Sequence, residues 1–222
     1  MNSLNHIAFI MVGNGRWGKK KGKSRNFGHL KGVETVKKIV KESLKLKIPV
    51  LTFYVFSSEN WKRPKKEKTF LFKLLKEYFF NELNNIVKQD IKINILGDVK
   101  KFSKELKLVL KKTKDITNKN KKIIVNLALN YGSKIEILNA LKKTKRNLTI
   151  KNIENNLYTK NIPNPDILIR TGGYQRLSNF LLWQLAYTEL FFLKKLWPDF
   201  NSSDLRKIIR RYNKIQRNFG KI

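Results

Sequence analysis

The sequence predicts an α/β fold, a single domain in which helices flank a six-stranded, mainly parallel sheet and an apolar tunnel. Three observations favour this class. Apolar runs of strand length alternate with longer segments of helical spacing. Polar residues gather where four of these runs end, as expected at the ligand-binding edge of a parallel sheet. No linker rich in Pro, Gly or Ser interrupts the pattern, so we interpret residues 1–222 as one domain.

The first strand is the buried apolar run that begins at His6, and a glycine turn follows it. Gly13 and Gly15 bracket Asn14, and both residue types tolerate positive φ. A turn without bulky side chains lets backbone N–H groups approach an anion, and a helix that follows adds its dipole. We interpret the turn as a phosphate-binding turn. A plain strand-to-helix turn remains the alternative, because short glycine motifs are weak signals.

The remaining elements follow from the spacing of apolar residues. Strands are predicted over 50–56, 91–96, 122–130, 166–169 and 189–192, where β-branched and aromatic residues concentrate. Helices are predicted over 29–48, 69–89, 102–117, 135–145, 150–158 and 203–217. The apolar face of the helix over 69–89 is thicker than one packed face needs. Ordinary core packing explains most of it, and a slot for a long hydrocarbon is the alternative for the rest.

Two groups of basic residues flank glycine-rich turns. Arg16, Arg25 and His29 form the first group, and Arg170, Arg176 and the hydroxyl of Ser178 form the second. Guanidinium groups bind diphosphate oxygens well, although a single arginine is more often part of a surface ion pair. The sequence contains no Walker-type loop, which disfavours nucleotide hydrolysis. It also contains no Asp-rich helical motif for binding magnesium.

The composition limits the function classes. A net charge of +33 indicates a polyanionic partner, but lysine dominates and is spread over nearly every helix, as on a solvated surface. Attraction to anionic lipid is a second interpretation. The absence of cysteine excludes disulfides and cysteine-based zinc sites. No window approaches 18 apolar residues and residues 1–5 lack a basic segment, so we expect a cytoplasmic protein with peripheral contact to an anionic membrane.

Five motifs carry a resemblance to a known family. They are 13–17 (GNGRW), 56–64 (FSSENWKRP), 130–132 (NYG), 170–173 (RTGG) and 176–184 (RLSNFLLWQ). Their order and length resemble those of undecaprenyl diphosphate synthases, the cis-prenyltransferases, and the resemblance extends from His6 to Gly220. These enzymes add isopentenyl diphosphate units to farnesyl diphosphate and make each new double bond cis.

The resemblance implies roles for individual residues. Those implied to bind the allylic diphosphate are Gly13, Asn14, Gly15, Arg16, Trp17, Arg25 and His29. Those implied to bind the diphosphate of isopentenyl diphosphate are Arg170, Arg176, Leu177 and Ser178. Those implied to lie where the substrates meet are Ser57, Ser58, Glu59, Asn60, Trp61 and Arg63. Asn60 matches the residue assigned to proton removal, but an amide is a poor base, so we expect it to orient the substrate or a water.

The resemblance also implies a cofactor and an assembly. Glu189 matches a carboxylate of a Mg²⁺ site, and the metal would neutralise the departing diphosphate. The apolar face of 69–89 and the strand 50–56 would line the tunnel for the growing chain. The segment 180–192 would build a homodimer interface.

One departure concerns Val12, where the family has an aspartate that binds Mg²⁺ and assists departure of the allylic diphosphate. Valine has neither charge nor lone pair. Three accounts are open: an introduced substitution, a natural variant of weak activity, and a non-catalytic subunit. Tyr174, where an acidic residue is common, and Gln175, where some members have His, are lesser departures. We predict that the chain binds both diphosphates but turns over very slowly.

Two rival classes follow from the same residues. A binding module, either a lipid-diphosphate carrier or a silent partner subunit, would retain ligands without elongating them. A nucleic-acid-binding protein would account for the charge of +33, but the sequence contains no RNA-recognition or zinc motif, and its aromatic residues lie mostly in apolar runs. We therefore expect no nucleic-acid partner.

Overall fold

The protein folds around one parallel six-stranded sheet. The computed structural model describes residues 3–144 and 148–218 of the 222. The strands are β1 His6–Ile10, β2 Val50–Ser57, β3 Ile91–Leu96, β4 Ile123–Tyr131, β5 Ile167–Arg170 and β6 Glu189–Phe192. They are arranged in the order β3-β4-β2-β1-β5-β6, and every neighbouring pair is parallel. The predicted fold class is therefore confirmed.

Seven α-helices connect and cover the strands in the described part of the chain. They are α1 Asn14–Lys20, α2 Arg25–Lys45, α3 Lys65–Lys88, α4 Lys104–Ile116, α5 Ser133–Thr144, α6 Ile150–Glu154 and α7 Ser202–Tyr212. Two short 3₁₀ helices span Ser58–Lys62 and Trp197–Asp199.

The predicted bounds of several helices were wrong. Ser24 accepts a hydrogen bond from the backbone of Phe27, so α2 begins four residues before the predicted start. Helix α1 begins at Asn14, so of the predicted three-residue turn only Gly13 lies outside a helix. Helices α6 and α7 end earlier than predicted. The predicted end of the helix over 135–145 lies outside the described residues.

The strands bury both faces, which explains their continuous apolar runs. In β1, Ile7 and Phe9 join the core beneath α2, α3, α4 and α7, while Ala8 and Ile10 join a second core with Phe180 and Leu185. Phe9 stacks on Phe53 of β2 with ring centroids 4.9 Å apart. Among the described residues, no helix combines the length and apolar content that crossing a bilayer requires.

The order of the strands positions a crevice next to β1. The chain runs from β1 to β2 on one side, and after β4 it returns to place β5 on the other side of β1. The direction of winding thus changes at β1, and ligands bind at such switch points beyond the carboxyl ends of the strands. The segments that follow β1, β2 and β5 meet there.

Candidate active site

A cavity of about 760 Å³ opens at the carboxyl edge of the sheet, between the strands and helices α2 and α3. Its mouth is polar and its depth is apolar. The lining of the mouth includes Val12, Gly13, Asn14, Gly15, Arg16, Arg25, His29, Ser57, Glu59, Asn60, Arg63, Arg170, Arg176, Ser178 and Asn179. Most of the residues predicted to bind substrate therefore line one space, although they come from four separate segments.

The depth of the cavity is lined by hydrocarbon. Its wall includes Val33, Val36, Val55, Phe56, Leu71, Phe72, Leu74, Leu75, Tyr78, Phe79, Leu127 and Leu129. The predicted tunnel from α3 and β2 is thus present, and α2 and β4 complete it. Tyr78 lies at the far end, and burial raises its pKa to about 12.

The turn after β1 brings the backbone close to its neighbours. Gly13 has φ of +116°, and a Cβ there would lie 2.7 Å from Leu196 Cδ2, so glycine is required on both counts. Arg16 donates to the carbonyl of Gly172 at 2.7 Å, which joins this turn to the segment after β5. The buried Oδ1 of Asn14 has no hydrogen-bond partner.

Val12 is held in place by hydrogen bonds of its backbone N–H and carbonyl groups. Its N–H donates to Thr171 Oγ1 at 3.0 Å, and the Thr171 hydroxyl donates to the Val12 carbonyl at 2.9 Å. Its Cγ1 would be 2.8 Å from a Cβ at Gly172. The side chain lines the cavity but offers no atom that binds a cation or a proton.

Four charged or titratable side chains meet beside the turn. Glu67, on the first turn of α3, lies 3.3 Å from Arg25 Nη2, 3.2 Å from Arg63 Nη1 and 3.5 Å from His29 Nε2. Burial lowers the pKa of His29 to about 4, although Glu67 acts against this, so the imidazole is neutral at pH 7. Burial acts to raise the pKa of Glu67, but Arg25 and Arg63 outweigh it and hold that pKa below its usual value.

The second arginine group lies after β5. Arg170 is 3% exposed, and its Nη1 donates to Ser178 Oγ at 2.9 Å and to the carbonyl of Arg176. Burial and the nearby Arg176 lower the pKa of Arg170. Its buried Nε has no hydrogen-bond partner and is a donor that a ligand can use.

Tyr174 links the two arginine groups. The guanidinium carbon of Arg16 lies 5.2 Å from the centroid of its ring, and that of Arg176 lies 4.3 Å away. Both distances are within the range of cation–π attraction. The two groups are therefore neighbours at one rim.

The 3₁₀ helix after β2 orients Asn60. Asn60 Oδ1 accepts the N–H of Ser57 at 3.2 Å in a capping box. Because its oxygen is engaged with the backbone, the amide offers its Nδ2 donor to a ligand. A donor can orient an oxygen atom and does not remove a proton. The role of Asn60 in orienting the substrate or a water stays a prediction.

Four predicted binding residues do not line the cavity. Trp17 donates to Asp199 Oδ1 at 2.6 Å, and Ser58 packs against Gly132. Trp61 donates to Asn130 Oδ1 at 2.7 Å and lies among Phe56, Phe72 and Phe102. Leu177 packs on the second core. These four side chains are half-buried against other parts of the protein, while several of their polar neighbours line the cavity.

Glu189 lies at the amino ends of the strands, whereas the cavity opens at their carboxyl ends. It pairs with Ile167 at the amino ends of β5 and β6, and its Oε1 lies 3.9 Å from Arg217 Nε. Glu189 therefore does not line the cavity of its own chain, and its role as a Mg²⁺ ligand stays a prediction. The parallel register of β5 and β6 explains this position. Glu189 pairs with Ile167 at the amino end of β5, whereas Arg170, at the carboxyl end, lines the cavity.

The cavity does not offer a ligand set for Mg²⁺. In the described part of the chain, no three His, Asp or Glu side chains are grouped to hold a metal ion. Glu59 is the carboxylate on the cavity lining among those residues, and it accepts from Asn179 Nδ2 at 2.9 Å. Mg²⁺ prefers oxygen ligands, and Val12 supplies none from its side chain. The residues present therefore do not fit the metal.

Sequence reasoning missed Glu67 and did not foresee how Tyr174 is used. Glu67 follows Arg63 by four residues, a spacing that places both on one helical face, and this signal was available. Tyr174 had no such signal, because its partners Arg16 and Arg176 come from different segments.

Comparison with known proteins finds similarity over nearly the whole chain. A family model described as "Putative undecaprenyl diphosphate synthase" matches residues 10–220. An isoprenyl transferase of Helicobacter pylori is 46% identical over 230 residues, covering 100% of this chain and 98% of its own. A second relative is a ditrans,polycis-undecaprenyl-diphosphate synthase of Haemophilus influenzae, named as specific for (2E,6E)-farnesyl diphosphate. It is 42% identical, and the match covers 99% of this chain and 96% of the relative.

A solved structure has the same fold. The lavandulyl diphosphate synthase of Lavandula x intermedia, in complex with dimethylallyl diphosphate, superimposes with a TM-score of 0.94 at 32% identity, covering 98% of each chain. The match of the family model and the relatives extends over nearly the whole sequence. This chain belongs to the undecaprenyl diphosphate synthase family of isoprenyl transferases.

Proposed function

We propose that this chain condenses isopentenyl diphosphate with an allylic diphosphate such as farnesyl diphosphate, with a cis double bond, and that Val12 makes its turnover slow. The observation that carries the proposal is a rim with two arginine groups above an apolar cavity of about 760 Å³. Such a space has the size of ligand sites for elongated apolar molecules, and its charge lies only at the mouth.

The residues of the rim would share the binding of two diphosphates. The backbone after Gly13, with Arg16, Arg25 and His29, would hold the allylic diphosphate. Arg170, Arg176 and Ser178 would hold that of isopentenyl diphosphate. Asn60 would orient the second substrate, and the hydrocarbon would extend towards Tyr78. Holding the two reactants in one space accounts for much of the acceleration such a reaction needs.

Val12 limits the step in which the allylic diphosphate departs. That step develops negative charge on the leaving group, and stabilisation of developing charge is a large part of catalysis. Guanidinium groups remain to supply it, but the carboxylate and the Mg²⁺ expected from the family have no place at Val12. We therefore expect binding to be retained and turnover to be slow.

A direct assay tests this proposal. The chain is incubated with farnesyl diphosphate and labelled isopentenyl diphosphate, with and without Mg²⁺, and products are sized by chromatography. We expect slow formation of polyprenyl diphosphates. Rapid turnover that requires Mg²⁺ would contradict the role given to Val12, and failure to bind either substrate would contradict the proposal as a whole.

A second candidate is a non-catalytic diphosphate-binding subunit or lipid-diphosphate carrier, and Val12 is the observation that favours it. It predicts retention of both ligands with no elongation, even after Val12→Asp.

We further propose a homodimer. Exposed apolar side chains on α5 and the segment 180–192 support it, namely Ile135, Leu138, Leu141, Leu182 and Leu190. The lysine-rich surface supports peripheral contact with an anionic membrane.

A further inference from the structure

We infer that Glu67 is a positioning residue that serves as an exchangeable counter-ion: it holds Arg25 and Arg63 at the rim until an incoming diphosphate displaces it. The inference rests on the proposed function, because it assigns a ligand of that class to this rim. Glu67 belongs to none of the motifs that carry the family resemblance.

Glu67 binds two guanidinium groups from two different segments. It binds Arg25 of α2 through both carboxylate oxygens, at 3.3 Å from Nε and 3.3 Å from Nη2. Arg63, which precedes α3, donates to Oε1 at 3.2 Å. The Glu67 side chain is only 12% exposed, so solvent screens these contacts less than it would at an open surface.

The lengths of these contacts indicate a shared, loosely held carboxylate. Hydrogen bonds between a guanidinium and a carboxylate are usually about 2.7–2.9 Å long. Every contact of Glu67 in the cluster is longer, from 3.2 Å to the 3.5 Å that separates it from His29 Nε2. One carboxylate thus divides its attraction among several donors, and each contact is easily exchanged.

The position of Arg25 connects Glu67 to the glycine turn. A Cβ on Gly15 would lie 2.8 Å from Arg25 Cζ, so the guanidinium covers the backbone next to the turn. His29 Nε2 is buried there without a hydrogen bond of ordinary length. An anion that enters this corner therefore meets Arg25, Arg63 and an imidazole nitrogen with unused hydrogen-bonding capacity.

The charge balance favours exchange. Two guanidinium groups and one carboxylate leave the cluster with a net charge of +1 while His29 is neutral. A diphosphate carries more negative charge than one carboxylate, and its several oxygens suit guanidinium donors better. Glu67 competes with it for the same donors, so removing the Glu67 charge should strengthen diphosphate binding.

The test measures the affinity of the full chain for inorganic pyrophosphate by calorimetry, at fixed ionic strength and with a chelator present. We expect Glu67→Gln to bind about tenfold more tightly, because the competing charge is gone. Glu67→Asp keeps the charge and should bind like the unmodified chain. Glu77→Gln makes the same change of net charge on the same helix, next to Lys73, and should leave affinity within about twofold.

The outcomes are distinct. Weaker or unchanged binding by Glu67→Gln, with clear binding by the unmodified chain, would overturn this inference and leave the proposed function standing. Equal weakening by Glu67→Gln and Glu67→Asp would show a plain structural tether and would overturn it too. An unmodified chain that binds no pyrophosphate would overturn both proposals.

Discussion

Position 12 carries an isopropyl group where the family resemblance implies a carboxylate, while the hydrogen bonds around it are made by the backbone. Because Thr171 and Trp197 bind Val12 only through its N–H and carbonyl, a different side chain can be accommodated without breaking them. The Val12 side chain also packs against the second core, so the loss of that contact is the structural cost of a substitution here.

Val12→Asp should raise the rate of elongation by about two or more orders of magnitude and make it dependent on Mg²⁺. The new carboxylate would face the cavity and supply a metal ligand, and developing charge on the leaving group would be stabilised. Initial rates with farnesyl and labelled isopentenyl diphosphate measure the effect. Val12→Asn, of the same shape but uncharged, is the control. Equal rates for all three chains would contradict the prediction.

His6 makes stability depend on pH. Burial lowers its pKa to about 4, while the unfolded chain protonates near 6.5. The unfolded state then binds more protons between these values, so stability falls as pH drops through that window, by up to roughly 3 kcal/mol. His29, also buried with a pKa of about 4, adds to the effect.

Urea unfolding at several pH values between 5 and 7.5 checks this prediction. His6→Asn should lose part of the slope, because the remaining dependence belongs to His29. Its absolute stability should also fall, since His6 bonds the Pro163 carbonyl and Thr52 Oγ1, both at 2.7 Å. A slope identical to that of the unmodified chain would exclude His6 as its source.

Individual site residues were predictable to the extent that their chemistry is local. Arg25, Arg63, Arg170 and Ser178 line one cavity, because the segments that carry them meet beyond the carboxyl ends of the strands. Glu189 begins β6 as the predicted strand 189–192 has it, but the strand prediction alone did not reveal that this end lies away from the cavity.

At the scale of elements, α2 and α3 close the apolar end of the cavity. Val33, Leu74 and Tyr78 line the main cavity and also a second one of about 250 Å³ on the outer side. Lys37 lies over the Tyr78 ring at 5.4 Å and is paired with Glu82. These side chains separate the two spaces.

Tyr78→Ala should join the two cavities and shift products to longer chains. The lost ring removes the barrier between Val33 and Leu74, and the added space accepts further isoprene units. Product sizing by mass spectrometry, best in the Val12→Asp background, measures the shift. Tyr78→Phe keeps the ring and should leave the distribution unchanged. Shorter or unchanged products from Tyr78→Ala would contradict this role.

Element types were predictable because periodicity is strong in this chain, whereas bounds were not. Helix α2 starts where Ser24 caps it, and α7 ends at Tyr212 although the apolar spacing continues. Caps depend on single side chains, which a window of apolar spacing averages away.

At the scale of the whole molecule, the fold follows from alternation of strands and helices, but the strand order does not. The placement of β5 beside β1 depends on contacts such as Ile10 with Arg170, which lie far apart in sequence. The shared rim of the two arginine groups, and Tyr174 between them, depends on that placement.

Assembly is testable through the exposed face of α5. Leu138 is 45% exposed, and Leu182 N–H donates to Ser133 Oγ, which ties the start of α5 to the segment 180–192. If this face joins two copies, Leu138→Glu should convert a dimer to monomers in sedimentation experiments, because it buries an unpaired charge. Leu108→Glu, on exposed α4, is the control. Dimers that persist in Leu138→Glu would exclude this face.

The cavity has two kinds of wall. Part of its lining belongs to strands, which the hydrogen-bond ladder of the sheet holds rigidly, whereas another part belongs to helices α2 and α3, which contact each other through side chains. Helices can slide apart by small rotations of those side chains, while a ladder cannot stretch without breaking bonds. We therefore expect the helical part of the wall to adapt to the length of a ligand more readily than the part that the strands form.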